Sequence, residues 1–326
     1  MSEISAKIIA DSEANGKRLV TMLLTFPRFI LPELNTHRVF SKNSASSRAI
    51  PAFKMANKVD EDPFIPVVWQ KKHTGMQGSE YFEDPKQIEI REKTWLKAKN
   101  YAVGIAKYLS SAQDVTKQIT NRILEPYMWH TVLLTGTEFT NFFELRLPKY
   151  EVELKDIYED GNPAKIIVHS RKVAEEYNEK YRNLSDLDWL KLSKSDAEPH
   201  MQLLAEKMYD EMHRSKPIQL ESHDLHLPFI DESEKDVFDD DDLIKISTAR
   251  CARLSYMTFD GEKDYDKDFE LYEKLLSSKH MSPFEHIGIA MSKDEFVKYN
   301  KTEYNGFEYG VSGNFRGFIQ YRKMIE

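Results

Sequence analysis

The sequence predicts an α/β chain of the α+β kind, in which a mostly antiparallel sheet packs with long helices. Three observations carry the prediction. Residues 18–26 form a run of apolar and β-branched side chains, the composition of a strand. Residues 85–111 place Ile88, Ile90, Trp95, Leu96, Ala98, Ala102, Ile105, Ala106 and Leu109 three or four apart, the spacing that buries one face of a helix. Further strand and helix candidates follow in mixed order, without a repeat of fixed period.

The bulk numbers set the class. The chain has 326 residues, 40% apolar and 31% charged, which suits a globular protein with a real core. The longest apolar stretches, residues 19–24 and 26–34, are broken by Thr21, Thr25, Pro27, Arg28 and Pro32, so neither reads as a membrane span. The opening Met1-Ser2-Glu3 lacks the basic-then-apolar order of a signal peptide. A single cysteine, Cys251, excludes an internal disulfide, and together these favour a cytosolic protein. The net charge of −8 argues against a nonspecific nucleic-acid binder. An anionic small ligand would need arginines gathered against the global sign.

Taken in order, residues 27–38 read as a short helix or turn carrying Glu33 and His37. Residues 41–47 are small and polar, a loop able to approach a ligand. Pro51, Pro63, Pro66, Gly75 and Gly78 mark residues 50–85 as irregular, the length of a lid or binding loop. Helix is expected to continue through 112–125 and stop near Pro126. Residues 129–135 read as a strand and 137–147 as a helix presenting Phe139, Phe142, Phe143 and Leu145. Residues 150–188 suggest an inserted hairpin and helix. Residues 196–212 form a helix with Pro199 in its first turn, a favoured place for proline. The acidic run 231–242 reads as a solvated loop, with a metal site as the sharper alternative. Residues 244–256 read as a strand or extended segment, 266–278 as a helix, 284–291 as a strand, and 313–325 as a basic, aromatic helix.

A nucleoside monophosphate is a dianion, held best by arginine forks, hydroxyls and backbone N–H groups. Residues His37-Arg38-Val39-Phe40-Ser41-Lys42-Asn43-Ser44-Ala45-Ser46-Ser47-Arg48 supply all of these within one segment. A serine-rich surface loop between ordinary charges is the bland alternative.

The segment Thr36-His37-Arg38, seven residues, Ser46, then Arg48 resembles the nucleotide-binding motif of the flavin-dependent thymidylate synthases, R-H-R, seven residues, S-x-R. It departs at Thr36. The lead-in Pro27-Arg28-Phe29-Ile30-Leu31-Pro32-Glu33-Leu34 is similar too, with Glu33 where the family places Gln. The resemblance implies that Ser46, Ser47 and Arg48 bind the phosphate and ribose of dUMP. It also implies that His37, Arg38 and Asn43 lie near the flavin or support the loop. Ser46 is assigned to binding, because a serine without a general base is a poor nucleophile.

Asn121-Arg122-Ile123-Leu124-Glu125-Pro126 resembles the family's R-x-x-L-P segment, whose arginine approaches the nucleotide. Asn141-Phe142-Phe143-Glu144-Leu145-Arg146 resembles N-x-x-x-L-R, implying that Asn141 meets the flavin and Arg146 the uracil ring. Charge developing on the pyrimidine oxygens would be stabilised by a fixed cation, so Arg146 and Arg38 are the candidate catalytic residues. The alternative for Arg146 is a helix-terminal arginine satisfying carbonyls. His200 of Pro199-His200-Met201-Gln202 matches the family's His-x-Gln as a flavin-site candidate, although it comes roughly 50 residues late. Thr135-Gly136-Thr137 stands where an Asn-x-Arg flavin contact is expected.

Two C-terminal blocks look like the family's N-terminal half, displaced. Thr248-Ala249-Arg250-Cys251-Ala252-Arg253-Leu254-Ser255-Tyr256 resembles A-A-R-x-S-Y, and His280-Met281-Ser282-Pro283-Phe284-Glu285-His286 resembles G-H-x-S/T-P-F-E-H. The chain is therefore read as one circularly permuted domain over residues 1–326. Residues 1–146 and 196–326 are family-like, and 50–85 and 147–195 are insertions. By the resemblance His280 and Ser282 touch flavin or folate and Glu285 lies by the flavin, while His286 reads equally well as a structural histidine. In the tail, Gln320 with Arg322 or Lys323 is expected to replace the Gln and Arg missing at positions 33 and 36.

The resemblance implies FAD as cofactor, NADPH and methylenetetrahydrofolate as co-substrates, conversion of dUMP to dTMP, and a homotetramer. A hydroxymethylating relative, or a nonenzymatic nucleotide- or flavin-binding relative, are the alternatives. Cys251 lacks a catalytic signature around it. No dinucleotide or P-loop glycine motif and no Cys/His metal cluster is present.

Overall fold

The computed structural model describes residues 2–75, 78–254, 263–300, 302–304, 307–309 and 314–326. In chain order, strands β1 (Ser5–Ala14) and β2 (Lys17–Pro27) are followed by helix α1 (Leu31–Thr36), strand β3 (Ser41–Ser44), helices α2 (Ala52–Glu61), α3 (Pro85–Ala112) and α4 (Lys117–Thr120), strand β4 (Trp129–Gly136) and helix α5 (Thr140–Arg146). A hairpin, β5 (Tyr150–Glu159) and β6 (Asn162–Val168), precedes α6 (Arg171–Tyr177), α7 (Asp186–Leu192) and α8 (Pro199–Arg214). The remainder is β7 (Ile218–Gln219), β8 (Leu225–His226), α9 (Glu232–Lys235), α10 (Asp240–Arg253), α11 (Tyr265–Ser277), β9 (Gly288–Ala290), α12 (Lys293–Asn300), β10 (Thr302–Tyr304), β11 (Phe307–Tyr309), β12 (Phe318–Gln320) and α13 (Arg322–Ile325).

The main sheet has the order β3-β4-β2-β1-β7 and is antiparallel except for the short β1–β7 pair. A second sheet, β12-β9-β8, is antiparallel throughout. Strand β2 explains why the chain reads apolar from Leu19 to Leu24 apart from the buried Thr21. Alternate strand residues face opposite ways, and both faces of β2 are covered. Val20, Met22, Leu24 and Phe26 pack with Phe142 of α5 and with Met201, Leu204 and Met208 of α8. On the other face, Leu19 packs with Ala290, Phe315 and Phe318, and Leu23 joins Leu133 against Cys251 of α10. The sheet is thus filled between the α5–α8 layer and the C-terminal region.

The α+β architecture follows the sequence prediction, as do β2, α3, β4, α5, the β5–β6 hairpin, α8 and α11. Asp84 accepts from the Gln87 N–H at the start of α3, with Pro85 in its first turn. Only part of the α3 apolar set is buried. Val103 and Ala106 pack against Met55 and Val59 of α2, whereas Ile90 and Ile105 are exposed.

Several segments differ from expectation for physical reasons. Residues 41–44 are an edge strand paired with β4, so polar composition hid a ladder supplied by tertiary contact. The irregular stretch 50–85 contains α2, entered at Pro51. Helix does not run on from α3 to Pro126. Asp114 takes φ 50°, and helix resumes at the Thr116 cap.

Residues 244–256 are not a strand as far as they are described, to Leu254. They belong to α10, a 14-residue helix buried on nearly all sides. Full burial erases the amphipathic period that separates helix from strand. Ser255 and Tyr256 of that block lie outside the described residues. The acidic run is mostly exposed, as expected, but it is not a loop, since α9 and the start of α10 lie in it. Asp231 with Glu234, and Asp239, cap α9 and α10, and Glu234 is buried on Arg250. These carboxylates satisfy helix N–H groups and a guanidinium and do not converge on one point. The expected strand 284–291 starts as a 3-10 turn, Ser282–His286, before β9. The tail helix 313–325 is instead β12 and one helical turn. Gly317 at φ 80° cannot continue a right-handed helix, and Gly313 lies outside the described residues.

Among the described residues no helix is long and apolar enough to cross a membrane.

Candidate functional site

A cleft of about 550 Å³ opens where the turn after β3 meets the 3-10 turn Ser282–His286. One wall is Lys42, Asn43, Ser44, Ala45, Ser46, Ser47, Arg48 and Ala49. The opposite wall is Ala252, Leu275, His280, Ser282 and Pro283. Arg28, Gln118 and Arg122 complete the lining. Four of these residues are Arg or Lys and none is Asp or Glu, in a chain whose net charge is −8.

The first wall is held from behind. Strand β3 pairs with β4, and the buried amide of Asn43 donates to the Cys251 carbonyl at 2.7 Å. Ala49 N–H donates to the Ser46 carbonyl, closing a turn through Ser47 and Arg48. Asn121, fully buried, donates from Nδ2 to the carbonyls of Ser47 and Ile50 at 2.7 and 2.9 Å. Backbone anchoring leaves the side chains facing the cleft uncommitted. Among the described residues, Ser46 and Ser47 hydroxyls and the Arg48 guanidinium make no hydrogen bond or ion pair. Arg122 donates only from Nε, to the Gln118 carbonyl at 3.2 Å.

The other two cations are engaged. Arg28 Nη1 lies 3.0 Å from the ring nitrogens of His130, and Nη2 lies 3.3 Å from Glu125. Burial pushes His130 down to about 3, helped by the charges of Arg28 and Lys58, so the imidazole beside Arg28 is neutral. Lys42 donates to the carbonyls of Leu34 and His37, closing the end of α1, and its burial lowers its pKa.

The remaining candidates form a neighbouring patch, joined to the cleft through Lys42. Arg146, at the end of α5, donates from Nε to His37 Nε2 at 3.1 Å, and its Nη1 is 3.5 Å from Glu33. Arg146 therefore acts on Glu33 of α1 and on His37 just past its end, and among the described residues it makes no bond to a carbonyl of its own helix. Burial lowers the pKa of His37, and Arg146 and Lys42 push the same way. Burial raises that of Glu33, reinforced by Glu198 and opposed by Arg146. His200 accepts the Val67 N–H at Nε2 and donates from Nδ1 to Glu198, with Phe29 and Phe64 edge-on to its ring. Arg38 and Asn141 are exposed. Neither side chain is hydrogen-bonded among the described residues.

Of the residues expected in a site, Asn43, Ser46, Ser47, Arg48, Arg122, His280 and Ser282 line one cleft, although they come from three separated stretches of chain. His37, Arg38, Asn141, Arg146, His200 and Glu285 do not line it. The tail does not bring its cations there either. Gln320 donates to Ser41 Oγ and the Glu285 carbonyl, Arg322 pairs with Glu285 and Glu326, and Lys323 pairs with Glu326. The additional cations at the cleft are Arg28 and Lys42, which sequence reasoning did not assign. Arg28 lay inside the quoted lead-in, but nothing local reveals that β4 brings His130 beside it.

Of the residues assigned to a flavin, Asn43, His280 and Ser282 line the cleft, His37 is bonded to Arg146 beside it, and Glu285 is paired with Arg322. Thr135, where a flavin contact was doubtful, is fully buried in β4.

No protein-family model matches the chain, and no curated protein matches it by sequence. Solved structures that are similar to it include two of one protein. One is the UMP/dUMP methylase PolB from Streptomyces cacaoi bound with 5-Br UMP, at 12% identity and a TM-score of 0.41, covering 66% of this chain and 90% of that one. The other is the same methylase bound with 5-Br dUMP, at 12% identity and a TM-score of 0.43, covering 66% and 91%.

Proposed function

We propose that the cleft binds the phosphate and ribose of dUMP, and that the chain is a flavin-dependent thymidylate synthase converting dUMP to dTMP with methylenetetrahydrofolate and NADPH. The observation that carries the binding step is that the Arg48 guanidinium, without a partner among the described residues, and the Arg122 guanidinium, whose one described bond is from Nε to the Gln118 carbonyl, line a carboxylate-free cleft with the Ser46 and Ser47 hydroxyls. Two guanidiniums that are not ion-paired among the described residues match a phosphate dianion, and their forks suit its oxygens. Arg28 and Lys42 add positive potential while their own hydrogen bonds are used elsewhere. His280 and Ser282, on the facing wall, would touch the flavin or folate.

FAD would supply the redox chemistry, which belongs to the cofactor and not to side chains. In a homotetramer, a second chain facing the His37–Arg146 patch would complete the flavin site. Arg146, anchored on His37 and Glu33, is the cation held ready for a pyrimidine oxygen.

Titrating dUMP and deoxyuridine into the purified protein, with and without FAD, tests this reading. Micromolar dUMP binding that deoxyuridine does not reproduce supports it. Equal binding of the two, or no binding, rejects the phosphate role. A protein that binds dUMP yet shows no flavin absorbance after FAD addition is a nonenzymatic nucleotide binder. A hydroxymethylated product would replace the methylation assignment.

A further inference from the structure

Behind the cleft, five buried side chains form one hydrogen-bonded row. Ser12 Oγ of β1 lies 2.9 Å from His226 Nδ1, and His226 Nε2 lies 2.8 Å from Thr21 Oγ1 of β2. Thr21 Oγ1 lies 2.7 Å from Thr135 Oγ1 of β4, its partner in register. Thr135 Oγ1 lies 2.8 Å from His286 Nδ1, and His286 Nε2 has no partner among the described residues. Four of the five are fully buried and Ser12 is 5% exposed. His286 ends the 3-10 turn that carries Ser282 and Pro283 into the cleft, and that turn packs against β3, β4 and α10.

Each hydroxyl has one proton to donate, and a neutral imidazole has one N–H. If each bond in the row continues the direction of the one before it, two orders are possible. If Ser12 donates first, every later bond runs toward His286 and leaves a buried Nε2–H without an acceptor. If His286 Nδ1–H donates to Thr135, every bond runs toward Ser12 and leaves a bare Nε2 acceptor at one end and the Ser12 hydroxyl proton at the other, where the residue is 5% exposed. Buried orphan N–H groups are the rarer and costlier case, so the second order is favoured. It places both histidines in the Nδ1–H form.

We propose that His286 is a positioning residue of the cleft. Its ring is fixed by this row, and through it the Ser282–Pro283 wall is held at the spacing from Ser46–Arg48 that a phosphate-bearing ligand needs. The proposal rests on the phosphate reading of the cleft. It goes beyond that reading in naming a residue outside the lining, a tautomer, and a remote end at Ser12.

The test combines long-range 1H–15N spectra of the imidazoles with titration of inorganic phosphate and dUMP. Wild type, Thr135→Val, Ser12→Ala, His286→Leu and His286→Asn are compared. In wild type both rings should show a protonated Nδ1 and a bare Nε2. Thr135→Val keeps the shape and removes the junction, so it should change the His286 signals. It should also weaken phosphate and dUMP binding by roughly five- to tenfold, the equivalent of one hydrogen bond. His286→Asn places an amide near the Nδ1 position and should recover affinity that His286→Leu loses. Ser12→Ala should alter the His226 tautomer balance, and it serves if Thr135→Val does not fold. An Nε2–H tautomer at either ring overturns the relay. Folded Thr135→Val and His286→Leu proteins with wild-type affinity overturn the positioning role. A wild-type protein that binds neither phosphate nor dUMP removes the reading of the cleft, and with it the positioning claim, while the tautomers still judge the relay.

Discussion

The side-chain amide of Asn43 donates to the carbonyl of Cys251 at 2.7 Å, joining the edge strand of the cleft to the last turn of α10. The bond spans 208 positions of sequence and is buried. Asn43→Ala should cost about 1–3 kcal/mol, because a buried acceptor loses its donor. Asn43→Asp should cost more, since a carboxylate would face a carbonyl oxygen. Urea unfolding monitored by circular dichroism measures both, and equal stability of Asn43→Asp and wild type would contradict the contact.

Arg48 and Arg122 should contribute separately to nucleotide binding. A charge-assisted hydrogen bond contributes about 1.5–3 kcal/mol, so Arg48→Ala and Arg122→Ala should each weaken dUMP binding roughly 10- to 100-fold. Affinity should fall with added salt in wild type and less steeply in each variant. Arg322→Ala and Lys323→Ala should leave dUMP affinity nearly unchanged, since their side chains are occupied by Glu285 and Glu326. A loss as large as that of Arg48→Ala would place the tail at the cleft after all.

The buried histidines predict acid sensitivity. Burial pushes His226 and His286 down to about 3, with the charge of His226 adding to the effect on His286. Their unfolded value is near 6.5. The unfolded chain therefore binds more protons between those values. The stabilisation from neutral rings is fully present above about pH 6.5 and is lost progressively as pH falls toward 3. Denaturation midpoints measured from pH 7 to pH 4 should decline. The double variant His226→Gln/His286→Asn should be less stable at pH 7 but show a shallower decline. An unchanged slope in that variant would contradict the assignment.

The Arg146–His37 contact predicts a shift that can be measured directly. Arg146 lies on His37 Nε2 and, after burial, is the next cause of its lowered pKa. Arg146→Met should raise the His37 pKa toward the ordinary value while leaving it below, since burial remains. Imidazole chemical shifts followed against pH would show this. An unmoved titration would mean that the two side chains are not in contact in solution.

The sequence carried the class of fold and the long or doubly covered elements, because their composition and period are local. It misassigned α10, where burial all round removes the polar face that marks a helix. It also missed β3, whose serines take a strand conformation only because β4 offers a ladder. The cleft was read in part. Ser46, Ser47, Arg48, Arg122, His280 and Ser282 were named from motif spacing, and the structure gathers them at one cleft. Arg28 and Lys42 were not assigned, because what puts them there is β4 and the end of α1. The Thr21–Thr135–His286 row could not be read at all. Its members are single residues on separate strands, and only the packing of the C-terminal region on the sheet brings them together.

The central claim is that the Ser46–Arg48 turn and Arg122 hold the phosphate of dUMP. Isothermal titration of dUMP and deoxyuridine into wild type and into the Arg48→Ala/Arg122→Ala double variant tests it most directly. Binding of dUMP by wild type that deoxyuridine lacks, lost in the double variant while its thermal midpoint is kept, is the predicted result. A double variant that is folded and binds dUMP as tightly as wild type would contradict the account.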